Sequence, residues 1–361
     1  MNSTTILRKC TAGQAVTKKT KGKKRNLITE ESIPALLEKA LARREALLDG
    51  GHKSALRLFN GFLEGCPELV VDLYGCTLVL QDYSEAPEEG RAMIQQAQAW
   101  LQSHLPWLQA GIVKVRNSPS AEAKRGRRLF GEKPDRKVQE QGVWYALNLC
   151  MQQDASLYLD TRTLRTWARQ NLSGKSVLNT FAYTGSLGVA ALAGGAQRVV
   201  QLDLNRSYLN LAKTSYTLNG FPINKEDFLC GDFWAEVGRL KRSSAGFDCV
   251  LVDPPFFSST PKGRLDLNTD SARLINKVRP LVNDGGWLVS INNALYVSGK
   301  EYLEMLEGLC ADGYLKIAEI IPVPEDFTGY PETRVGAPVT DPSPFNHSTK
   351  IAILEVKRKK N

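Results

Sequence analysis

The sequence predicts an α/β protein built on a seven-stranded doubly wound sheet whose last strand is antiparallel, with a smaller N-terminal α/β domain in front of it. Three observations predict this. From about residue 157 onward, apolar strand-like runs alternate with helix-like stretches, the pattern of a mostly parallel sheet covered on both faces. Residues 51–150 have a different rhythm, of short apolar runs broken by glycine and proline. The chain has 361 residues, more than one core comfortably fills. The expected division is a basic arm over 1–28, a helix over 29–50, a small α/β domain over 51–150 and the large domain over 151–361.

The arm contains KKTKGKKR at 18–25, a basic tract without apolar periodicity, which is expected to be disordered in the free protein. TEESIPALLEKALARREALLD then has helical spacing, starting at Thr29, Glu30 and Glu31 and stopping at Gly50 and Gly51. ALRLFNGF, LVVDLYG and CTLVLQDY read as strands and hairpins, followed by a helix around 88–104, the strand GIVKVRN and a strand pair around VQEQGVWYALNL. The strands of the large domain are SVLN, RVVQLDL, EDFLCGD, FDCVLVD, GWLVSIN, KIAEIIPV and KIAILEV. A long loop joins the last two, so the final strand should close the sheet antiparallel.

Composition narrows the chemistry. With 42% hydrophobic and 24% charged residues and no apolar stretch of the roughly 18 to 20 residues that spans a bilayer, the chain reads as a cytoplasmic globular protein without a membrane partner. Seven scattered cysteines without a CxxC pair, and three histidines at 52, 104 and 347, predict neither a disulfide framework nor a metal site. The net charge of +9 is concentrated in the arm, in AKRGRRLFGEKPDRK at 123–137 and in the terminal VKRKKN. Such tracts suit a polyanion through counterion release; solubility is the plainer alternative for any one of them.

Ligands of open parallel sheets bind at the carboxyl ends of the strands. The first strand ends LNTFAYTGSLG, where Gly185 and Gly188 form a turn that lets a ligand approach the backbone, but it is not GxGxxG, which disfavours a nicotinamide enzyme. The second ends in Asp203, placed to accept from a ribose diol, and the third in CGDF, where Asp232 and Phe233 suit the amino edge and face of an adenine. One strand-end aspartate is ordinarily a helix cap. Three on successive strands, the last opening DPPFF at 253–257, point to a nucleoside cofactor.

NTFAYTGSLGVAALAGGA, VVQLDLNRSYLNLAK, LCGDF and DPPFF resemble the motifs of the class I S-adenosylmethionine-dependent methyltransferases, a Rossmann-like family. More narrowly they resemble the bacterial 23S ribosomal RNA methyltransferases of the RlmI and RlmK kind, and the likeness covers nearly everything after residue 30. The resemblance implies S-adenosyl-L-methionine as cofactor. It implies that Asn179, Phe181, Thr184 and Gly185 line the methionine side, that Asp203 and Leu204 flank the ribose, and that Asp232 and Phe233 hold the adenine. Asp160 and Arg162 would approach from the preceding segment, although Arg162 reads equally as an ion-pair partner for Asp160. Asp253, Pro254, Pro255, Phe256 and Phe257 would face the methyl group and the incoming base.

The acceptor atom is a further expectation. Carbon 5 of cytosine requires a cysteine thiolate; in that branch the cysteine follows the fifth strand, where this sequence has Asn293. Guanine N7 carries an in-plane lone pair and needs stacking from Phe256 or Phe257 and orientation by Asn292 and Asn293. QDASLYLDTR, the asparagine pair and IIPVPEDF look closer to this guanine-N7, RlmK-like branch, while ETRVGAPVTDPSPFNHSTK departs from it as a longer connection. An exocyclic amine or a small molecule remains an alternative acceptor. Lys124, Arg125, Arg127 and Arg128 would grip the phosphates of an RNA, ribosomal RNA or a precursor particle, whose target base must be unpaired or flipped out. Trp144 and Tyr145 are expected to fill the small domain's core.

Overall fold

The structure is a computed structural model that describes residues 31–260 and 263–358. The basic arm over 1–28 and the end of the terminal basic tract lie outside the described residues. The first described helix runs Ile33–Arg44, with Ser32 as its cap accepting from the Ala35 amide at 3.4 Å, and tightens into a 3-10 turn at Glu45–Leu47. Its buried face, Leu36, Leu37 and Ala40, covers one side of a five-stranded sheet.

That sheet has the order β1 (Ala55–Asn60), β2 (Leu69–Tyr74), β3 (Thr77–Asp82), β4 (Ala110–Val115), β5 (Arg127–Phe130). The β3–β4 pair is parallel because the helix Pro87–His104 crosses between them; the other pairs are antiparallel. A hairpin follows, β6 (Lys137–Glu140) and β7 (Val143–Ala146), turned by Gln141 and Gly142 at φ 49° and 84°. Positive φ at both positions matches the strand twist of a two-residue hairpin. The basic segment over 123–137 begins within the short helix Ala121–Arg125 and continues as edge strand β5. Tyr145 is buried, as expected, whereas Trp144 is half-buried beneath Lys137, whose Nζ lies 4.3 Å from the ring centre.

The large sheet contains β8 (Ser176–Thr180), β9 (Arg198–Asp203), β10 (Phe228–Cys230), β11 (Phe247–Val252), a small hairpin β12 (Phe257–Thr260) and β13 (Gly263–Asp266) outside the sheet, then β14 (Val282–Asn292), β15 (Leu315–Ile321) and β16 (Lys350–Val356). Its order is β10-β9-β8-β11-β14-β16-β15, with β16 antiparallel to both neighbours, so the last strand inserts between β14 and β15. The strand order reverses between β8 and β11, the switch point at which such sheets open a crevice. One buried cluster runs from Tyr74, Val79 and Ile112 of the small sheet through Val138 and Tyr145 to Leu157, Val177 and Leu251. The small sheet is therefore packed directly onto the large one, and Tyr74 Oη donates to the Leu157 carbonyl at 3.1 Å. Among the described residues no helix is long and apolar enough to cross a membrane, and no cluster of acidic, cysteine and histidine side chains could hold a metal ion.

Candidate active site

A cavity of about 320 Å³ opens at the carboxyl ends of β8, β9, β10, β11 and β14. Its size falls within the roughly 300–1,000 Å³ of small-molecule pockets. The loop after β8 enters it with an unusual backbone: Phe181 and Tyr183 sit at φ 54° and 51° and Gly185 at φ 76°. Left-handed conformations at aromatic residues are uncommon and mark a constrained loop. Their result here is that both rings line the cavity. Phe181 stacks on Phe233 with ring centres 4.5 Å apart, and Tyr183 lies between Tyr158 at 5.1 Å and Tyr208 at 4.6 Å.

Asp203, at the end of β9, accepts from the Tyr183 amide through Oδ2 and from the Asn205 amide through Oδ1, both at 2.8 Å. Burial raises its carboxyl above the usual range, and those backbone donors oppose the rise. Asp232 caps the helix Phe233–Arg242, accepting from the Ala235 amide at 3.2 Å. Asp253, at the end of β11, has its carboxyl pushed up to about 7, first by burial and then by the negative charge of Asp160. Asp160 in turn accepts from Thr349 Oγ1 at 2.8 Å, so the segment before β16 also reaches the cavity. Asn293 completes the wall, and its Oδ1 and the Tyr183 Oη are buried without a partner.

Of the residues singled out in the sequence, Asp160, Phe181, Asp203, Leu204, Asp232, Phe233, Asp253, Pro254, Pro255 and Asn293 line this one cavity. The others lie elsewhere, for physical reasons. Asn179 is buried behind the wall, donating to Gln201 Oε1 at 2.8 Å, and Gln201 Nε2 reaches the Gly185 carbonyl at 3.2 Å. Thr184 Oγ1 donates to the Ser156 carbonyl at 2.5 Å. Gly185 and Gly188 are required by protein packing: a Cβ at Gly185 would meet Ala212 Cβ at 2.6 Å, and one at Gly188 would meet Gln201 Nε2 at 2.1 Å. These four hold the loop that carries Phe181 and Tyr183.

Arg162 pairs not with Asp160 but with Asp326, at 2.5 Å, and reaches the Ala55 carbonyl at 3.2 Å, which ties it to the small sheet. Asn292 is buried and committed, donating to the Leu267 carbonyl and Ser271 Oγ and accepting from the Ala294 amide; it fixes the strand-end turn and faces a second, shallower cavity. Phe256 and Phe257 are exposed on the segment leaving the cavity rather than in its wall. Arg125, Arg127 and Arg128 are exposed on the small sheet, and Lys124 is half-buried beside them. On an edge strand such side chains also block pairing with another chain.

Sequence reasoning missed Gln152, Asp154, Tyr158, Tyr183, Tyr208 and Thr349, all in the wall. Tyr158 Oη donates to Asp154 Oδ2 at 3.0 Å, and burial pushes the phenol well above its ordinary value. The signal was present in FAYTG and QDASLYLD, where aromatic and acidic residues sit in loops. It was hard to use because Gln152, Asp154 and Tyr158 come from the segment before β8, Tyr208 from a helix and Thr349 from the segment before β16, none of them a strand carboxyl end.

A family model described as S-adenosylmethionine-dependent methyltransferase matches residues 72–330. The chain is similar to the ribosomal RNA large subunit methyltransferase K/L of Colwellia psychrerythraea, 30% identical over 266 residues, covering 71% of this chain and 36% of that protein. It is similar to the ribosomal RNA large subunit methyltransferase I of Aliivibrio fischeri, 28% identical over 262 residues, covering 70% and 66%. The chain thus spans little more than a third of the K/L relative. In fold it resembles a SAM-dependent methyltransferase from Streptococcus mutans, with TM-score 0.77, 20% identity and coverage of 91% and 84%. It also resembles a methyltransferase, SMU.776, solved in complex with SAH, with TM-score 0.78, 20% identity and coverage of 90% and 81%. With the strand-end cavity and the match over 72–330 together, the chain belongs to the S-adenosylmethionine-dependent methyltransferases, and S-adenosylmethionine is its cofactor.

Proposed function

We propose that this protein methylates large-subunit ribosomal RNA, free or in a precursor particle in the cytoplasm, at N7 of a guanine. The observation that carries the reading is the composition of the cavity wall: Asp253, Pro254, Pro255 and Asn293 line it and are read here as its acceptor side, and no cysteine lines the cavity among the described residues. Cys249 is fully buried in β11, with burial pushing its thiol far up, so it supplies no thiolate. Cytosine carbon 5 is disfavoured on that ground, and a guanine N7 lone pair asks only for alignment.

The residues present fit the cofactor. The stacked Phe181–Phe233 pair offers an apolar face for adenine, beside Asp232. An ionised carboxylate has about four lone-pair sites, so Asp203 can accept a ribose hydroxyl beside its backbone donors. Tyr183 Oη and Asn293 Oδ1, buried and unpartnered, are hydrogen-bonding atoms that a bound ligand would satisfy. S-adenosylmethionine supplies an electrophilic methyl group. The protein's own part is to bind it, exclude water and hold the guanine edge in line against Asn293 and Asp253, with the exposed Phe256 offering a ring to stack on the base.

The test is transfer of labelled methyl to RNA from cells lacking this protein, followed by nucleoside analysis. Label in 7-methylguanosine is expected. Label in 5-methylcytidine would overturn the acceptor assignment, and RNA left unlabelled while the cofactor binds would overturn the RNA reading. A second reading, transfer to an exocyclic amine, is favoured by the carboxyl of Asp253 near 7, which suits it to receive a proton.

The exposed arginines give a separate prediction. Arg125→Glu with Arg128→Glu should weaken RNA binding about tenfold or more and flatten its salt dependence, because each lost phosphate contact removes roughly 0.7 to 0.9 from the log–log slope. Cofactor affinity without RNA should stay unchanged, since neither side chain lines the cavity. A filter-binding salt titration beside calorimetry with the cofactor checks both halves.

A further inference from the structure

Strand β4 ends at Val115, with Lys114 inside the strand and Arg116 in the turn that follows it. Lys114 is buried, and its Nζ donates to two carbonyls from different parts of the chain, Arg125 at 2.6 Å and Gln152 at 3.0 Å. Arg116 donates to the Gln153 carbonyl at 2.5 Å and to Asp154 Oδ1 at 3.4 Å. Gln152 and Asp154 line the cofactor cavity, and Asp154 also accepts from Tyr158. These two side chains thus grip the segment 152–154, which carries the wall residues Gln152 and Asp154. The same ammonium holds the backbone of the basic segment over 124–128.

The arrangement is specific. A buried ammonium is costly unless its donors are used, and burial brings this one down to about 8. Gly126, at φ 111°, lets the basic segment lie against the strand: a Cβ there would stand 2.9 Å from Ile112 Cγ2 and 3.1 Å from Lys114 Cγ.

We propose that Lys114 and Arg116 are positioning residues that couple the basic segment to the cofactor cavity, so that RNA seated on residues 124–128 tightens S-adenosylmethionine binding. The inference rests on the RNA reading above and adds a linkage to it. Coupling free energies are reciprocal, so the cofactor tightens RNA binding by the same factor.

The experiment measures the Kd of S-adenosylmethionine for the full chain with and without saturating substrate RNA. The wild-type protein is expected to bind the cofactor about fivefold or more tightly with RNA present, the lower end of ordinary coupling. Lys114→Met keeps the aliphatic stem and removes the donors; it should bring the ratio of the two Kd values close to one, and Lys114→Arg should restore part of it. Arg116→Gln, at a less buried site, is the second variant should Lys114→Met fail to fold, with the same loss expected. A simple packing role would weaken both Kd values together and leave the ratio unchanged, and that result would overturn the proposal. A wild-type protein that methylates RNA while its cofactor Kd ignores RNA would overturn it and leave the RNA reading standing. Failure to bind any RNA would overturn both.

Discussion

Glu64→Ala should lower the unfolding free energy by about 3–5 kcal/mol, the cost of leaving a buried partner charge uncompensated. Arg44 and Glu64 are both fully buried and form a two-pronged pair, Nη1 to Oε1 at 2.9 Å and Nη2 to Oε2 at 3.0 Å. Arg44 Nη2 also donates to the Asp326 carbonyl at 3.0 Å, and Glu64 accepts from the Asn60 amide at 2.7 Å and from Thr333 Oγ1 at 2.6 Å. Asp326 continues the network by pairing with Arg162 and accepting from the Arg57 amide. One cluster therefore fastens the first described helix, the small sheet, the segment after β15 and the helix Arg162–Asn171 of the large domain. Removing Glu64 strands a guanidinium and two backbone or hydroxyl donors at once. The double variant Arg44→Met with Glu64→Leu should be less destabilised than Glu64→Ala, because it removes both charges from a site that has apolar neighbours. Denaturant unfolding of the wild type, Glu64→Ala and the double variant checks this, and a double variant no more stable than Glu64→Ala would mean the pair itself is strongly stabilising.

The same network shows why part of the structure could not be read from the sequence. The seven strands of the large sheet were legible because apolar runs such as RVVQLD and FDCVLV are buried on both faces and need no partner information to be recognised. Asp203, Asp232 and Asp253 were legible because a carboxylate at the end of such a strand has few structural reasons to recur three times. Arg162 was not legible: its partner, Asp326, stands 164 residues away, and nothing local distinguishes that pairing from one with Asp160. The packing need at Gly185 was hidden for a related reason, since a glycine that clears a neighbouring helix and one that clears a ligand look alike in sequence. The hairpin β12–β13 and the wall residues Gln152 and Asp154 depend on the approach of other segments, so their place in the site appears only in three dimensions.

Asp253→Ala should lower kcat about 100-fold while changing the cofactor Kd less than threefold if the carboxyl faces the acceptor as proposed, because misplacing an acceptor by about 1 Å costs that much. The pH profile then separates the two acceptor chemistries. Burial, followed by the charge of Asp160, sets Asp253 at about 7 instead of the usual 3.8, with Tyr158 also facing it. A carboxyl raised on folding binds a proton that the unfolded chain has lost between about 4 and 7, so its contribution to stability is largest at low pH and falls away as pH rises through 7. Activity runs the opposite way if the carboxylate is the useful form. In kcat/KM the free enzyme's step should lie near 7; in kcat it should move lower, since a bound sulfonium favours the charged carboxylate. At guanine N7 no proton leaves, so the fall below the step should flatten to a plateau. Asp253→Asn, which keeps a carbonyl acceptor and cannot titrate, should then lose the step and stay within about tenfold of the wild-type rate at pH 8. An exocyclic amine must give up a proton; there the fall should continue at tenfold per unit, and Asp253→Asn should lose about 10² to 10⁴, the ordinary contribution of a general base.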